Sequence, residues 1–184
     1  LDPTMVIGGR ITAFGTNARL GDSDLMVVGA DESDRSFLQL SPVVAVVTGI
    51  DREHMEAYRD MADLEQAFVD FVNKVPFYGA SVVCLDEARI QDVLPRIRRR
   101  HVTYGFSAQA DVSADEVKLL GAGSSYRLKF AGEPVGFLHE REVALHERVV
   151  DRIAGPRRVV EAAVARGGFD LRQAGACLQQ RRAR

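Results

Sequence analysis

Short apolar runs alternate with longer amphipathic stretches along the first two thirds of the chain. "LMVVGA" (25–30) and "VVAVVTGI" (43–50) are continuous and rich in β-branched residues. That is the pattern of parallel strands covered on both faces. The link between them, "DRSFLQLSP", is too short for a long crossover helix and predicts a loop or a turn of helix. In "MADLEQAFVDFVNKV" (61–75), Leu64, Phe68, Phe71, Val72 and Val75 recur at helical spacing, with Asp63 as a candidate cap. "ASVVCLD" predicts a third strand, "EARIQDVLPRIRRR" a helix broken or kinked at Pro95, and "HVTYGFS" a fourth strand. This order is the mark of a parallel sheet with right-handed crossovers. After Ser107, "ADVSADEVKLL", "SSYRLKFAG" and "EPVGFLHE" read as short strands joined by glycine-containing turns. They predict an antiparallel meander at the sheet's edge. The expected fold class is α/β: a mostly parallel sheet flanked by helices, with a small antiparallel β meander.

Composition narrows this only a little. A length of 184 residues suits one domain or slightly more, and 46% hydrophobic with 27% charged residues is ordinary for a globular protein. A formal net charge of −2 gives no reason to expect a nucleic-acid partner. Cys84 and Cys177 stand apart without CxxC spacing, so neither a disulfide framework nor a zinc site is indicated. The simplest compartment is a reducing cytoplasm. No apolar run approaches a membrane span, and no signal peptide is recognisable. A first residue of Leu rather than Met points to a fragment or a processed start.

Candidate chemistry gathers where the first two strands end. The first runs into Asp31, Glu32 and Asp34, the second into Asp51, Glu53 and His54. Taken singly, the plainer alternatives are a solvated acidic loop and a structural histidine. Together, two strand ends converging on one crevice would bring imidazole and carboxylates within reach of a divalent cation. His54, Glu32 and Asp31 are the candidate metal-binding residues.

Several blocks sharpen the picture: "DPTMVIGGRI", "GTNARLG", "ADESDRSFLQLSPVVAVVT", "IDREHMEAY", "FVDFVNKVPFYG" and "VTYGFS". In this order they closely resemble the central domain of the Mur ligases of peptidoglycan synthesis, over roughly residues 1–140. Within that family "DESD" with "NARLG" points to the member that joins L-alanine to UDP-N-acetylmuramate. The resemblance implies ATP-dependent amide synthesis through an acyl phosphate, with Mg2+ countering the charge of phosphoryl transfer. It places the family's catalytic, cation-binding histidine on His54. It makes Asn17 and Arg19 candidates for contact with the UDP-sugar, against the plainer alternative of turn chemistry and a surface charge. There are departures. Gly29 stands where the family has the Mg2+-binding glutamate, and Gly49 where it has asparagine. The family's phosphate loop should precede position 1, since no G-x-x-x-x-G-K-[ST] occurs in this chain. Gly8-Gly9 and "GAGSS" lack its lysine and read as turns.

Residues 141–184 diverge. The segment lacks Asn, Ser, Thr, Tyr, Lys and Met and is rich in Arg, Ala and Gly. A shifted reading frame in GC-rich coding DNA would produce that bias; a genuine basic tail is the alternative. "RRVVEAAVARGG" predicts a helix with Val159, Val160 and Val164 on one side and Gly167 at its end. Loss of the strand leading into the phosphate loop predicts a gap or unpaired edge in the sheet, marginal stability and self-association. The leading functional expectation is a ligase segment inactive by itself. The alternatives are a non-catalytic remnant or binding module that keeps only the fold, and, less well supported, an unrelated metal hydrolase built on Asp31, Glu32 and His54.

Overall fold

Backbone pairing across one continuous sheet organises the molecule. The computed structural model describes residues 2–11, 16–120, 123–140 and 161–165. Among the described residues there are ten strands: β1 (Thr4–Ile11), β2 (Thr16–Arg19), β3 (Met26–Ala30), β4 (Val44–Val47), β5 (Ala80–Cys84), β6 (His101–Gly105), β7 (Val112–Leu120), β8 (Gly123–Phe130), β9 (Glu133–Glu140) and β10 (Glu161–Ala165). They lie in the order β2-β1-β3-β10-β4-β5-β6-β7-β8-β9. The centre, from β1 to β7, is parallel, and the two ends are antiparallel: β2 against β1, and the meander β7-β8-β9. The α/β class and the edge meander are as the sequence pattern predicts.

The helices α1 (Met61–Asn73) and α2 (Ala88–Val93) pack on one face of the sheet. Leu64, Phe68, Phe71, Val72 and Val75 are all buried, as their spacing predicts. They meet the small residues Ala45 and Ser81 and the branched Val47 and Val83, all at most 1% exposed. Ser81 satisfies its hydroxyl by donating to the Val72 carbonyl at 3.2 Å, so a polar group sits in the core without a lost hydrogen bond. Phe37, on a 3-10 turn (Ser36–Gln39) in the short β3–β4 link, stacks against Phe68 and Phe71 with centroids 5.3 and 5.1 Å away. The opposite face is thinner. Val46 and Val82 are half-buried, and Ala80 and Val102 form a small separate cluster. Equal cover on both faces, expected from the unbroken apolar runs, is therefore not found among the described residues. Pro95 acts as expected: α2 stops at Val93 and a 3-10 turn (Leu94–Arg96) replaces the next helical turn.

Four local expectations are corrected. Gly8 and Gly9 lie in β1 rather than in a turn. Residues 16–19 of "GTNARLG" form an edge strand, not a loop. Asp60, not Asp63, caps α1, accepting from the Asp63 N–H at 2.9 Å. Residues 161–165 are strand, not helix. Alanine favours helix intrinsically, but here a ladder on each side outweighs propensity. β10 also closes the gap that loss of a central strand was expected to open, so the sheet's edges are β2 and β9. The rest of the tail, Cys177 included, lies outside the described residues.

Asp63 instead ties the loops before α1 together. It pairs with Arg59 at 3.3 Å and with Arg35 at 2.9 Å. The Arg59 side chain and amide, then the Arg35 guanidinium, hold its carboxyl down to about 2. A depressed folded-state value stabilises above the usual carboxylate range and ceases to do so as pH falls toward about 2. Between about pH 4 and pH 2 the urea midpoint should therefore fall less steeply in Asp63→Asn than in the unaltered chain. Parallel curves in that window would contradict this role.

Candidate functional site at the carboxyl ends of β3 and β4

β3 and β4 run parallel with only β10 between them, so both end at the same edge of the sheet. Beyond β3 the chain turns at once. Asp31 accepts from the Ser33 N–H at 2.9 Å, Asp34 from the Ser36 N–H at 2.8 Å, and the Asp31 carbonyl from the Phe37 N–H at 3.2 Å. Two of the three carboxylates thus organise their own turn, the usual chemistry of aspartate beside serine. The Ser33 hydroxyl and amide keep Asp31 below the usual carboxylate range. Glu32 behaves oppositely: burial pushes its carboxyl up, and neighbouring Asp31 adds to the effect.

Beyond β4, His54 sits in the left-handed region at φ 56°, just before a 3-10 turn (Met55–Ala57). Its ring is 40% exposed, with Nδ1 3.8 Å from the Glu56 carboxylate. The two strands are not adjacent, but they end at the same edge of the sheet with one strand position between them. His54 lies within electrostatic reach of Asp31 and Glu32. A second left-handed residue, Arg35 at φ 65°, lies across from it. Such backbone costs on the order of 1 kcal/mol for a residue with a Cβ, and here the surroundings hold it. Arg35 lies 5.0 Å over the Tyr58 ring and pairs with Asp63. Tyr58 is buried, which pushes its hydroxyl up to about 12, and it donates to the Glu32 carbonyl at 2.6 Å. Tyr58 is thus the direct brace between the two loops. Sequence reasoning missed it, although "HMEAY" places an aromatic four residues past the histidine.

The same edge carries residues the sequence did not single out. Asp86, after β5, accepts from the Phe106 and Ser107 N–H groups at 2.6 and 3.0 Å and so fixes the turn after β6. Gly105, at φ 158°, leaves room for it: a Cβ there would lie 2.7 Å from the Asp86 carboxylate. Gly49 faces Glu87, and a Cβ on it would meet the Glu87 side chain at an ordinary 3.6 Å. The site tolerates a side chain at Gly49 and does not require glycine.

Asn17 and Arg19 lie on β2, with Arg19 opposite Met5, which is level with Val27 in β3. Arg19 is level with the start of β3 rather than with its carboxyl end. Arg19 also pairs with Asp2 at 2.5 Å. The donors do not fit the Mg2+ that the resemblance implies. Gly29 offers none, Asp31 is engaged in its turn, and burial favours the protonated form of Glu32. Among the described residues, no three His, Cys, Asp or Glu side chains come together as ligands. A Cβ on Gly29 would lie 3.3 Å from the Ile7 Cα and 3.4 Å from the Gly8 nitrogen, so a side chain there needs β1 to yield by a few tenths of an ångström.

Comparison with known proteins places this geometry. Residues 26–138 match the Mur ligase middle domain. The UDP-N-acetylmuramate–L-alanine ligase of Syntrophobacter fumaroxidans is 51% identical over 146 residues, covering 79% of this chain and 31% of that protein. The ligase of that name from Sorangium cellulosum is 47% identical over 176 residues, covering 91% and 38%, a span that reaches beyond residue 140. The chain thus spans about a third of the length of the curated relatives it matches. In fold it is similar to the UDP-N-acetylmuramate:L-alanyl-gamma-D-glutamyl-meso-diaminopimelate ligase of Neisseria meningitides (TM-score 0.67, 22% identity, 84% of this chain and 54% of that one). It is also similar to the UDP-N-acetylmuramate-alanine ligase of Thermotoga maritima (TM-score 0.63, 18% identity, 83% and 33%). With a matching family model over more than half its length and the parallel sheet to go with it, this chain belongs to the Mur ligase family through its middle domain.

Proposed function

We propose that the chain is the central segment of an ATP-dependent ligase that joins L-alanine to UDP-N-acetylmuramate in peptidoglycan synthesis, working in the cytoplasm. The observation that carries the reading is that β3 and β4 end at the same edge of the sheet, with Asp31 and Glu32 after one and His54 after the other, in a chain about half identical to ligases of that name. Residues 1–140 correspond to the central domain. Their part is to position groups: Tyr58 and the Arg35–Asp63 pair hold the two loops in register, and His54 stands at the crevice mouth as the residue closest to a catalytic role. When bound, ATP and Mg2+ would supply phosphoryl transfer to the substrate carboxylate, which turns a poor electrophile into one with a good leaving group. A second reading, a binding module without catalysis, is favoured by Gly29, which offers no carboxylate to a cation. The two agree about this chain by itself. It should release no phosphate from ATP with Mg2+, UDP-N-acetylmuramate and L-alanine present, beyond a His54→Ala control. Mg2+-dependent release above that control would overturn both the assigned inactivity and the importance of the phosphate loop.

Gly29 provides a test of the crevice that does not need turnover. Gly29→Glu adds a carboxylate at the β3 end, with its Cβ against Ile7 and Gly8 of β1. Mn2+ is the better probe, since it accepts both carboxylate oxygen and imidazole nitrogen. The variant should bind Mn2+ more tightly than the unaltered chain, by several-fold in water-proton relaxation titrations. The gain should vanish on adding His54→Ala and survive Asp34→Ala. Equal binding by the unaltered chain and Gly29→Glu would refute a shared crevice.

A further inference from the structure

We propose that the slot between β3 and β4 is an exchangeable strand-binding site, filled in this chain by its own residues Glu161–Ala165, and that seating of β10 excludes a competing strand from the centre of the sheet. β10 is parallel to both neighbours, in register from Glu161↔Met26 to Ala165↔Ala30 on one side and from Ala162↔Val44 to Ala165↔Val47 on the other. The other central parallel neighbours β4, β5 and β6 follow one another in sequence, with α1 and α2 in their crossovers. β10 alone arrives from beyond β9, at the far end of the sheet. The β3–β4 link, by contrast, steps over one strand position, which leaves a slot two interstrand spacings wide, roughly 9.6 Å.

Two features make the occupant replaceable. Three of its five residues are alanine, a poor strand former, so pairing on two edges holds it rather than intrinsic preference. Twenty residues of sequence separate it from β9, which lies at the far end of the sheet, so no short connection ties it to either neighbour. A strand of β-branched residues satisfies the same ladder with better propensity. The register also sets the consequence. Ala165 ends level with Ala30 and Val47, so whatever follows the seated strand is delivered between the Asp31–Glu32 turn and the His54 loop. In the ligase reading, on which the identity of the competitor rests, that competitor is the strand leading into the phosphate loop. A seated β10 therefore keeps ATP phosphates out.

The probe is a dye-labelled peptide of residues 157–169 carrying Ala162→Val, Ala163→Val and Ala165→Val, kept soluble by Arg157, Arg158 and Arg166. Proline in a central strand removes a ladder donor, so Ala163→Pro should unseat β10. Fluorescence anisotropy should show the peptide binding the Ala163→Pro chain at least about tenfold tighter than the unaltered chain. Equal affinities, or no binding to either, overturn the proposal. If Ala163→Pro loses the fold, as amide exchange throughout β5 and β6 would reveal, the decision passes to Val28→Cys/Ala163→Cys in a Cys84→Ser, Cys177→Ser background. This pair is directly opposed in the register. The oxidised, locked form should exclude the peptide and the reduced form admit it. Failure to cross-link, or binding unaffected by the lock, refutes the slot. A peptide extended by Gly-Thr-Gly-Gly-Lys-Thr tests the competitor separately. Seating with Mg2+-ATP binding supports it, and seating without nucleotide binding overturns that identity and the ligase reading, while the slot itself stands.

Discussion

A parallel strand in the middle of a sheet has hydrogen-bonding groups on both edges, and each one left unpaired in the interior costs about 1–3 kcal/mol. β3 and β4 are such strands, and they do not pair with each other. Their link is short and rises through the 3-10 turn that plants Phe37 among Phe68 and Phe71. The two strands stand one strand position apart, which leaves a place for one more strand. β10 takes it with parallel pairing on both sides. The site follows from the same constraint. Because both strands run the same way on either side of one occupant, their carboxyl ends open onto a common crevice, the usual place for a ligand in an open α/β sheet.

The crevice is braced more than it is equipped. Tyr58 hydrogen bonds to the Glu32 backbone, Arg35 stacks on Tyr58 and pairs with Asp63, and Asp60 caps the helix that carries Asp63. This chain of contacts holds two left-handed residues, Arg35 and His54, in place. The carboxylates spend their hydrogen-bonding capacity on the turn or are pushed toward the protonated form by burial. With glycine at position 29, the crevice is a braced frame with a poor donor set.

Much of this was legible in the sequence, and the failures have physical causes. The β-branched runs at 25–30 and 43–50 and the helical spacing of Leu64, Phe68, Phe71 and Val72 gave strands and helix correctly, because burial on a regular face imposes a period. That the strands before Asp31 and before His54 end at the same edge was legible from their parallel pattern; that a further strand lies between them was not. The cap was assigned to Asp63 because periodicity marks the helix start only to within a few residues; the side chain that accepts the hydrogen bond is Asp60. Asn17 and Arg19 looked like a loop because glycines flank them, yet pairing with β1 draws them into an edge strand. Residues 161–165 looked helical because alanine is a strong local signal, whereas the slot that overrides it is formed by residues more than a hundred positions earlier. Tyr58 was missed because a brace between loops has no sequence period at all.

The seating of β10 between β3 and β4 is the claim on which the sheet, the crevice and its chemistry all rest. Interstrand nuclear Overhauser contacts from the Ala163 backbone test it most directly. The account predicts contacts to Val28 on one side and to Ala45 on the other, with none running directly between β3 and β4. Contacts from Ala163 to neither strand, or a direct ladder between Met26–Ala30 and Val44–Val47, would contradict it.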